Sequence, residues 1–587
     1  MNSRLFILAT LVLAATAHGA LPLPQRLEDG KLEARWFGDD ANVLLLADLL
    51  KDEDPLVRER ALADLSQTDN PLAVAHIRRM TQDPSPHVRS AAVQAAGNLG
   101  VGGCDEIVIE ALESPDAPQL HAAIAAAGRL NLKSAAGRLE KLVAHADASV
   151  SAGALAAMTQ LELPCPDEAL LDALNNASAL VQLAAAQNAA IAPRQDKVRE
   201  ALARLGADGE PMVRGTALVA LAGAAGPAQI EDLVRQALIA EQPVLRAAGV
   251  HALRKTAQAH RAAGFLDDAS APVRLAAIEA VGELKYEPAA DKVAAIMLDS
   301  PDMQTHLAAR EALGELGADW AVPHAVRILT ELGDSLHAAH GAVARWDKSA
   351  PQEYTAEQRD MLARNVSAAA WLLARCNSDA GMDQMVKLIG KLHVDNSAMV
   401  ELARSAGALG DARAAQPLVG ALERSTKGAQ EHLIVSFFDR PPSLPFSPEV
   451  AVALTRALAD LKATQALPSI DAAIKTSARG MRLVEPVAAG ADALFDLADA
   501  ATAEPLLKII LEDSSFSVGA KYEAARTAGR MKLAALLPQL QQQLAERQCR
   551  SLINATAWAI EQITGQSPDL PQPLARQGDW IIRTIGE

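Results

Sequence analysis

Apolar residues recur along this chain with two periods at once. Within short segments they fall three and four positions apart, which puts them on one face of a helix. Across the chain, whole segments recur. The fullest copy is Asp83-Pro84-Ser85-Pro86-His87-Val88-Arg89-Ser90-Ala91-Ala92-Val93-Gln94-Ala95-Ala96-Gly97-Asn98-Leu99-Gly100, and a relative stands at Asp54-Pro55-Leu56-Val57-Arg58-Glu59-Arg60-Ala61-Leu62. The Val-like position can be followed through Val57, Val88, Leu120, Val150, Val181, Val213, Leu245, Val273, Thr305 and Leu336. A recurrence of about 28–32 residues held over so many copies predicts stacked helical hairpins, a solenoid. Period-two runs of β-branched and aromatic residues, the mark of strands, are nearly absent. The expected fold is all-α, an α-solenoid (superhelix) of about 16–17 hairpin repeats.

Each repeat has two halves. The first is an amphipathic helix such as 73–81 or 293–298. In the second, Asp is expected to cap the coming helix, Pro to occupy the first turn, Val and Ala to face inward, and a late Gly to let the chain turn out. Array boundaries follow from where the pattern holds. Residues 41–335 read as regular repeats and 336–435 as less regular ones, with a capping-box signal at Thr355-Ala356-Glu357-Gln358. Residues 436–448 form a Pro/Phe loop insertion whose four prolines forbid a helix. Residues 449–566 resume the repeats, and the tail 567–587 is expected to cover the stack's open end.

The phrase D-P-x-V-R-x-x-A-x-x-A-L-G, carried by Asp54–Leu65, Asp83–Gly100, Asp208–Ala222 and Asp268–Leu284, resembles the HEAT repeat in the short form named after the phycobilisome lyases. The closing Trp558–Gln566 is similar to the last repeat of exported bacterial HEAT proteins. The resemblance implies that the repeat Asp caps its helix and that the Arg forms a ladder between neighbours. The ladder residues would be Asp54, Arg58, Asp83, Arg89, Asp208, Arg214, Arg246, Asp268 and Arg274, with interruptions at Ser151 and Gln182.

Composition narrows the function. The chain has 587 residues, 50% hydrophobic but only 3% aromatic, and Ala suits helices packed at short distance. A net charge of −17 with no basic stripe argues against nucleic acid and anionic lipid surfaces. Arg4, the apolar run Leu5–Ala15 and Ala15-Thr16-Ala17 read as a cleavable Sec signal peptide over residues 1–20, cut after Ala17 or Ala20. Residues 21–40 would be an N-terminal arm or cap. The mature chain is therefore expected in the periplasm or medium, monomeric and without a membrane-inserted segment. Four cysteines, Cys104, Cys165, Cys376 and Cys549, lie too many repeats apart to pair, since neighbouring helices stand about 8–10 Å apart and a disulfide needs Cα atoms within about 7 Å.

Candidate chemistry is sparse. None of the thirteen histidines precedes a Glu, which removes the di-iron His-Glu pairs of the deoxyhypusine hydroxylase type. His306 and His337 fall at adjacent ladder positions, with His340 one turn on, so this group is a metal candidate to be weighed against local hydrogen bonding. Phe437, Phe438 and Phe446 in the Pro/Phe loop are the candidate partner contacts. No cofactor and no catalytic residue is expected. The leading expectation is an exported, non-enzymatic scaffold binding a protein or peptide along the concave face. The alternatives are an accessory subunit of an envelope oxidoreductase or cytochrome system, and a lyase-like or metal-dependent enzyme.

Overall fold

The computed structural model describes residues 40–568 apart from 69, 225–226, 342–353, 393–396, 437–446, 478–483 and 546–549. The signal, the N-terminal arm, almost all of the Pro/Phe loop and of the capping tail, and Cys549 lie outside the described residues. Among the described residues there are thirty α-helices and no strand. By their contacts these residues divide into two units, 40–324 and 325–568.

In the first unit the second-half helices form one continuous row: Pro55–Leu65, Pro86–Leu99, Ala117–Arg129, Ala148–Gln160, Ala179–Ala189, Pro211–Ala224, Pro243–Lys255, Ala271–Glu283 and Met303–Leu316. Each packs on the next, and the first-half helices form a second layer against the row. The Val-like positions point into the seam; Val88, Val150, Val181 and Val273 are wholly buried. Ala fills most of the rest, so backbones approach closely. One first-half helix is reduced to the single turn Ala259–Ala262 plus a short 3-10 turn. That is why the spacing from Leu245 to Val273 is the shortest in the array.

In the second unit the row is Ala356–Arg375, Ser397–Leu409, Pro448–Asp460, Val484–Leu497, Val518–Arg530 and Arg550–Thr564. It is backed by Met382–Lys391, Ala415–Ser436, Leu467–Ser477, Ala500–Glu512 and Leu537–Ala545. Thr355 and Gln358 close a capping box, with Gln358 N–H donating to Thr355 Oγ1 at 3.2 Å and Thr355 N–H to Gln358 Oε1 at 2.8 Å.

Three expectations need correction. The spacing puts a separate second-half helix at Leu336, but one helix of 24 residues runs through it, Ala318–Gly341. It carries Pro323 as its sixth residue, at the cost of one early N–H bond, and holds no later breaker stronger than Gly333. Second, the late Gly turns the chain only where it follows the helix, as Gly100 and Gly410 do at positive φ. Gly97, Gly128, Gly282, Gly407 and Gly529 lie inside their helices, and at four of them a Cβ would stand 2.6–2.8 Å from an Ala of the next second-half helix. The turn is made farther on, by Gly100 and Gly410 but also by Asn131, Glu162, Ala257, Lys285, Asn377, Lys462 and Lys532, all at positive φ. At those seven the following N–H reaches back five residues, as from Leu132 to Ala127 O at 3.0 Å and from Tyr286 to Val281 O at 2.8 Å. This is the Schellman closure. Third, the repeat Asp is not always the cap. Asp54 accepts from Leu56 N–H and caps its helix, whereas the cap position ahead of Pro86–Leu99 is Ser85, and that ahead of Ala271–Glu283 is Ser270. Asp83 and Asp268 stand two residues earlier and accept from the N–H of Ser85 and Ser270, both at 2.8 Å.

Candidate functional site

The ladder runs along the N-terminal edge of the row in the first unit. Arg58 donates through Nε and Nη2 to the two Asp83 oxygens at 2.9 and 2.8 Å, while its Nη1 donates to the main-chain oxygens of Asp52 and Glu53. Arg246 treats Asp268 the same way, at 2.9 Å twice, with Nη1 on Ala240 O and Glu241 O. Arg89 reaches one oxygen of Asp116 at 3.2 and 2.6 Å, with Nη1 on Asp83 O and Pro84 O. The planar guanidinium thus binds its own loop and the next repeat at once. Burial alone would raise the Asp83 carboxyl; the Arg58 and Ser85 hydrogen bonds outweigh it and hold the group below the usual carboxylate range. At Asp268 the Arg246 hydrogen bond is the largest influence and has the same result.

Elsewhere the edge changes. His121 meets Ser149 Oγ at 2.9 Å. Ser151 donates to Val143 O, and Gln182 keeps a single loop contact, to Asn176 O. Arg214 reaches only Gly206 O, at 3.4 Å, and Asp208 ends the helix Asp196–Asp208 instead of opening the next. Arg274 holds its own loop and no carboxylate. Where the edge has no rung, a network that the phrase does not announce ties the opposite ends of these helices. Buried Asn188 accepts from Cys165 N–H and donates to Thr159 and Leu163 O. Buried Arg194 binds Cys165 O, Asn188 O and Asp167. Arg194 sits after Pro193, off the repeat register, so periodicity gives no sign of it.

A cavity of about 520 Å³ opens on the ladder, lined among others by Asp83, Arg89, Glu110, Glu113 and Asp116. Its charges are mutually occupied: Glu110 pairs with Arg78, Glu113 with Arg138, and Asp116 with Arg89. It offers no unpaired nucleophile or base.

His306 is buried on Met303–Leu316 with Nδ1 2.9 Å from Met297 O. His337 lies inside Ala318–Gly341, where no second-half helix begins, so the two are not equivalent ladder positions. The His340 side chain, like Phe437, Phe438 and Phe446, lies outside the described residues. Among the described residues no group of three or more His, Cys, Asp and Glu is arranged to hold a metal ion. Cys104, Cys165 and Cys376 are free thiols.

In the second unit the outward face of the row carries chemistry of another kind. The Arg530 guanidinium stacks 3.6 Å from the Phe495 ring centroid and pairs with Asp492 at 2.9 Å. One turn before, Arg526 lies over Tyr522 at 5.7 Å and pairs with Glu523 at 3.1 Å. Burial pushes the Glu523 carboxyl up; burial and then the charge of Asp496 do the same to Asp460. These residues span three successive helices, and their i,i+4 spacing (Asp492 and Asp496; Tyr522, Arg526 and Arg530) is a sequence signal of a shared face. Aromatic rings capped by arginine on a rigid row suit recognition.

A family profile described as HEAT repeats matches residues 43–114. A comparison with curated proteins finds no match. Solved structures similar to this chain include importin beta, at 12% identity over 97% of this chain and 98% of that one, TM-score 0.39. Others are yeast importin-beta (Kap95p), 11% identical over 96% and 97%, TM-score 0.34, and Kap121p bound to Nup53p, 13% identical over 90% and 67%, TM-score 0.45. The described residues of each unit form an all-α array of stacked helical hairpins, and residues 43–114 match the HEAT-repeat profile.

Proposed function

We propose that this chain is an exported scaffold that binds a protein or peptide partner along its row of second-half helices and performs no catalysis itself. The observation that carries the reading is the Phe495–Arg530–Asp492 and Tyr522–Glu523–Arg526 surface: stacked, paired and partly exposed on adjacent, closely packed helices. Such rigid aromatic and arginine anchors are the groups that dominate protein interfaces. Export is supported by the n-region, h-region and A-x-A pattern of residues 1–20.

The test uses the mature chain as bait in periplasmic extract, beside a Phe495→Ser/Arg530→Glu double variant of unchanged helicity. Capture of one protein by the native chain and its loss in the variant supports the reading. Equal capture by both, or none by either, removes it. Mass spectrometry of chain recovered from the periplasm should find a first residue at 18 or 21, after Ala17 or Ala20; an intact Met1 refutes export.

A further inference from the structure

The three complete rungs share one construction. Nη1 donates to carbonyls five and six residues earlier, which fixes the guanidinium plane. The Nε/Nη2 edge then takes an Asp carboxylate from the loop ahead of the next second-half helix, at 2.6–3.2 Å. Arg274 has the first part and lacks the second. Its Nη1 donates to Asp268 O at 2.9 Å and Ala269 O at 3.1 Å, and no carboxylate accepts from its other edge. The loop that should supply one reads Asp299-Ser300-Pro301-Asp302. Asp299 is exposed. Asp302 is turned onto its own helix, accepting from Thr305 N–H at 2.8 Å, Thr305 Oγ1 at 2.7 Å and Gln304 N–H at 3.4 Å. Its carboxyl is held low chiefly by Thr305, with Arg274 the least of the influences on it.

We propose that the Nε/Nη2 edge of Arg274 is a binding site for the carboxylate side chain of an acidic partner peptide, whose neighbouring apolar residue rests on Met303 and Leu307. This site rests on the scaffold reading and names the chemistry of one contact within it. A guanidinium already fixed in plane gives a two-point carboxylate contact without first being ordered, which removes part of the entropic cost of binding. The protein's own rungs show what that edge accepts. Met303 and Leu307 lie one turn apart at the start of the next second-half helix, 48% and 40% exposed. An aspartate followed by a leucine-like residue carries a carboxylate for the fork and an apolar side chain for this step.

The probe is acetyl-aspartyl-leucinamide, with acetyl-asparaginyl-leucinamide as its uncharged control. It is titrated into the full mature chain while the arginine Nε–H resonances are followed. The Arg274 resonance should shift saturably with the aspartyl probe alone, while those of Arg58 and Arg246, whose edges are filled, stay in place. Arg274→Lys should weaken the probe about tenfold or more, because an ammonium cannot offer the fork, and Met303→Ser should weaken it several-fold with the Arg274 response retained. No saturable shift, or the same shift with the asparaginyl control, overturns the proposal. So does binding that appears only in Asp302→Asn, since Asp302 would then be the resident carboxylate. A chain that still captures its partner through the Phe495–Arg530 surface but gives no Arg274 response keeps the scaffold reading and loses this one.

Discussion

Gly282→Ala tests the close approach of the second-half helices. A Cβ built on Gly282 would stand 2.7 Å from Ala312 Cα, 2.8 Å from Ala312 Cβ and 2.7 Å from Glu315 Oε2. Ordinary contact begins near 3.4 Å. The Glu315 tip can swing aside, but Ala312 Cα is backbone, so Ala271–Glu283 and Met303–Leu316 must part by several tenths of an ångström or more. Overpacking of this kind costs about 1–3 kcal/mol. Replacing a mid-helix Gly by Ala gains about 1 kcal/mol in helix propensity. The net expectation is a loss of up to about 2 kcal/mol, confined to that interface. Because an array need not unfold in one step, native-state hydrogen exchange is the suitable assay. Slowly exchanging amides of these two helices should speed up by about tenfold, the equivalent of about 1.4 kcal/mol. Gly420→Ala is the reference: a Cβ there meets only the Arg424 tip, at 3.6 Å, so the propensity gain stands alone and exchange slows. If Gly282→Ala protects its helices as well as Gly420→Ala does, the close-packing explanation of the repeat glycine is wrong.

Lys532 sits at φ 55° in an exposed Schellman turn, so Lys532→Asn or Lys532→Gly should stabilise by about 0.5–1 kcal/mol, read as slower exchange in Val518–Arg530. Arg58→Met leaves Asp83 buried without its partner and should cost about 2–4 kcal/mol by denaturant titration. Because the folded Asp83 carboxyl lies below its unfolded value, the rung's contribution is complete above the ordinary carboxylate range and fades as pH falls towards the folded value; the stability difference between native chain and Arg58→Met should shrink with it. Burial pushes the Cys165 thiol up to about 11, so iodoacetamide at neutral pH should spare it in the native chain and label it once denaturant is present.

The repeats were legible because one phrase carries both their period and their caps. Even the shortest spacing, Leu245 to Val273, reflects a real loss, the first-half helix cut to one turn. What the phrase could not show is how one residue type divides its duties. Asp54 caps, while Asp83 and Asp268 bind an arginine of the previous repeat, and the difference is one of register: Asp54 stands four residues before Arg58, whereas Asp83 and Asp268 stand six before Arg89 and Arg274, the place Asp52 holds in the first repeat. The repeat Gly looked like a turn signal because it falls near the helix end. Its use is across the interface, and a single sequence does not display the Ala opposite it. The helix Ala318–Gly341 was hidden because an apolar period continues through it where a turn was expected. Arg194 was hidden for the opposite reason, lying where no period exists. The paired surface around Arg530 was present as i,i+4 spacing, but with 72 acids in the chain such spacing stands out only when the aromatic rings beside it are placed.

The ladder's interruption has a mechanical consequence. From Ser151 to Arg214 the N-terminal edge of the row lacks carboxylate rungs, while the Asn188–Arg194 network stitches the other edge. Stiffness there is one-sided, like a book sewn at the spine and loose at the fore-edge. Leu180 and Met212, 52% and 55% exposed, lie along the loose edge of that stretch. Bending that opens it breaks apolar contacts and the exposed Arg204–Asn175 hydrogen bond, whereas bending the other way must break buried, charge-assisted hydrogen bonds, so the stretch flexes more easily in one direction.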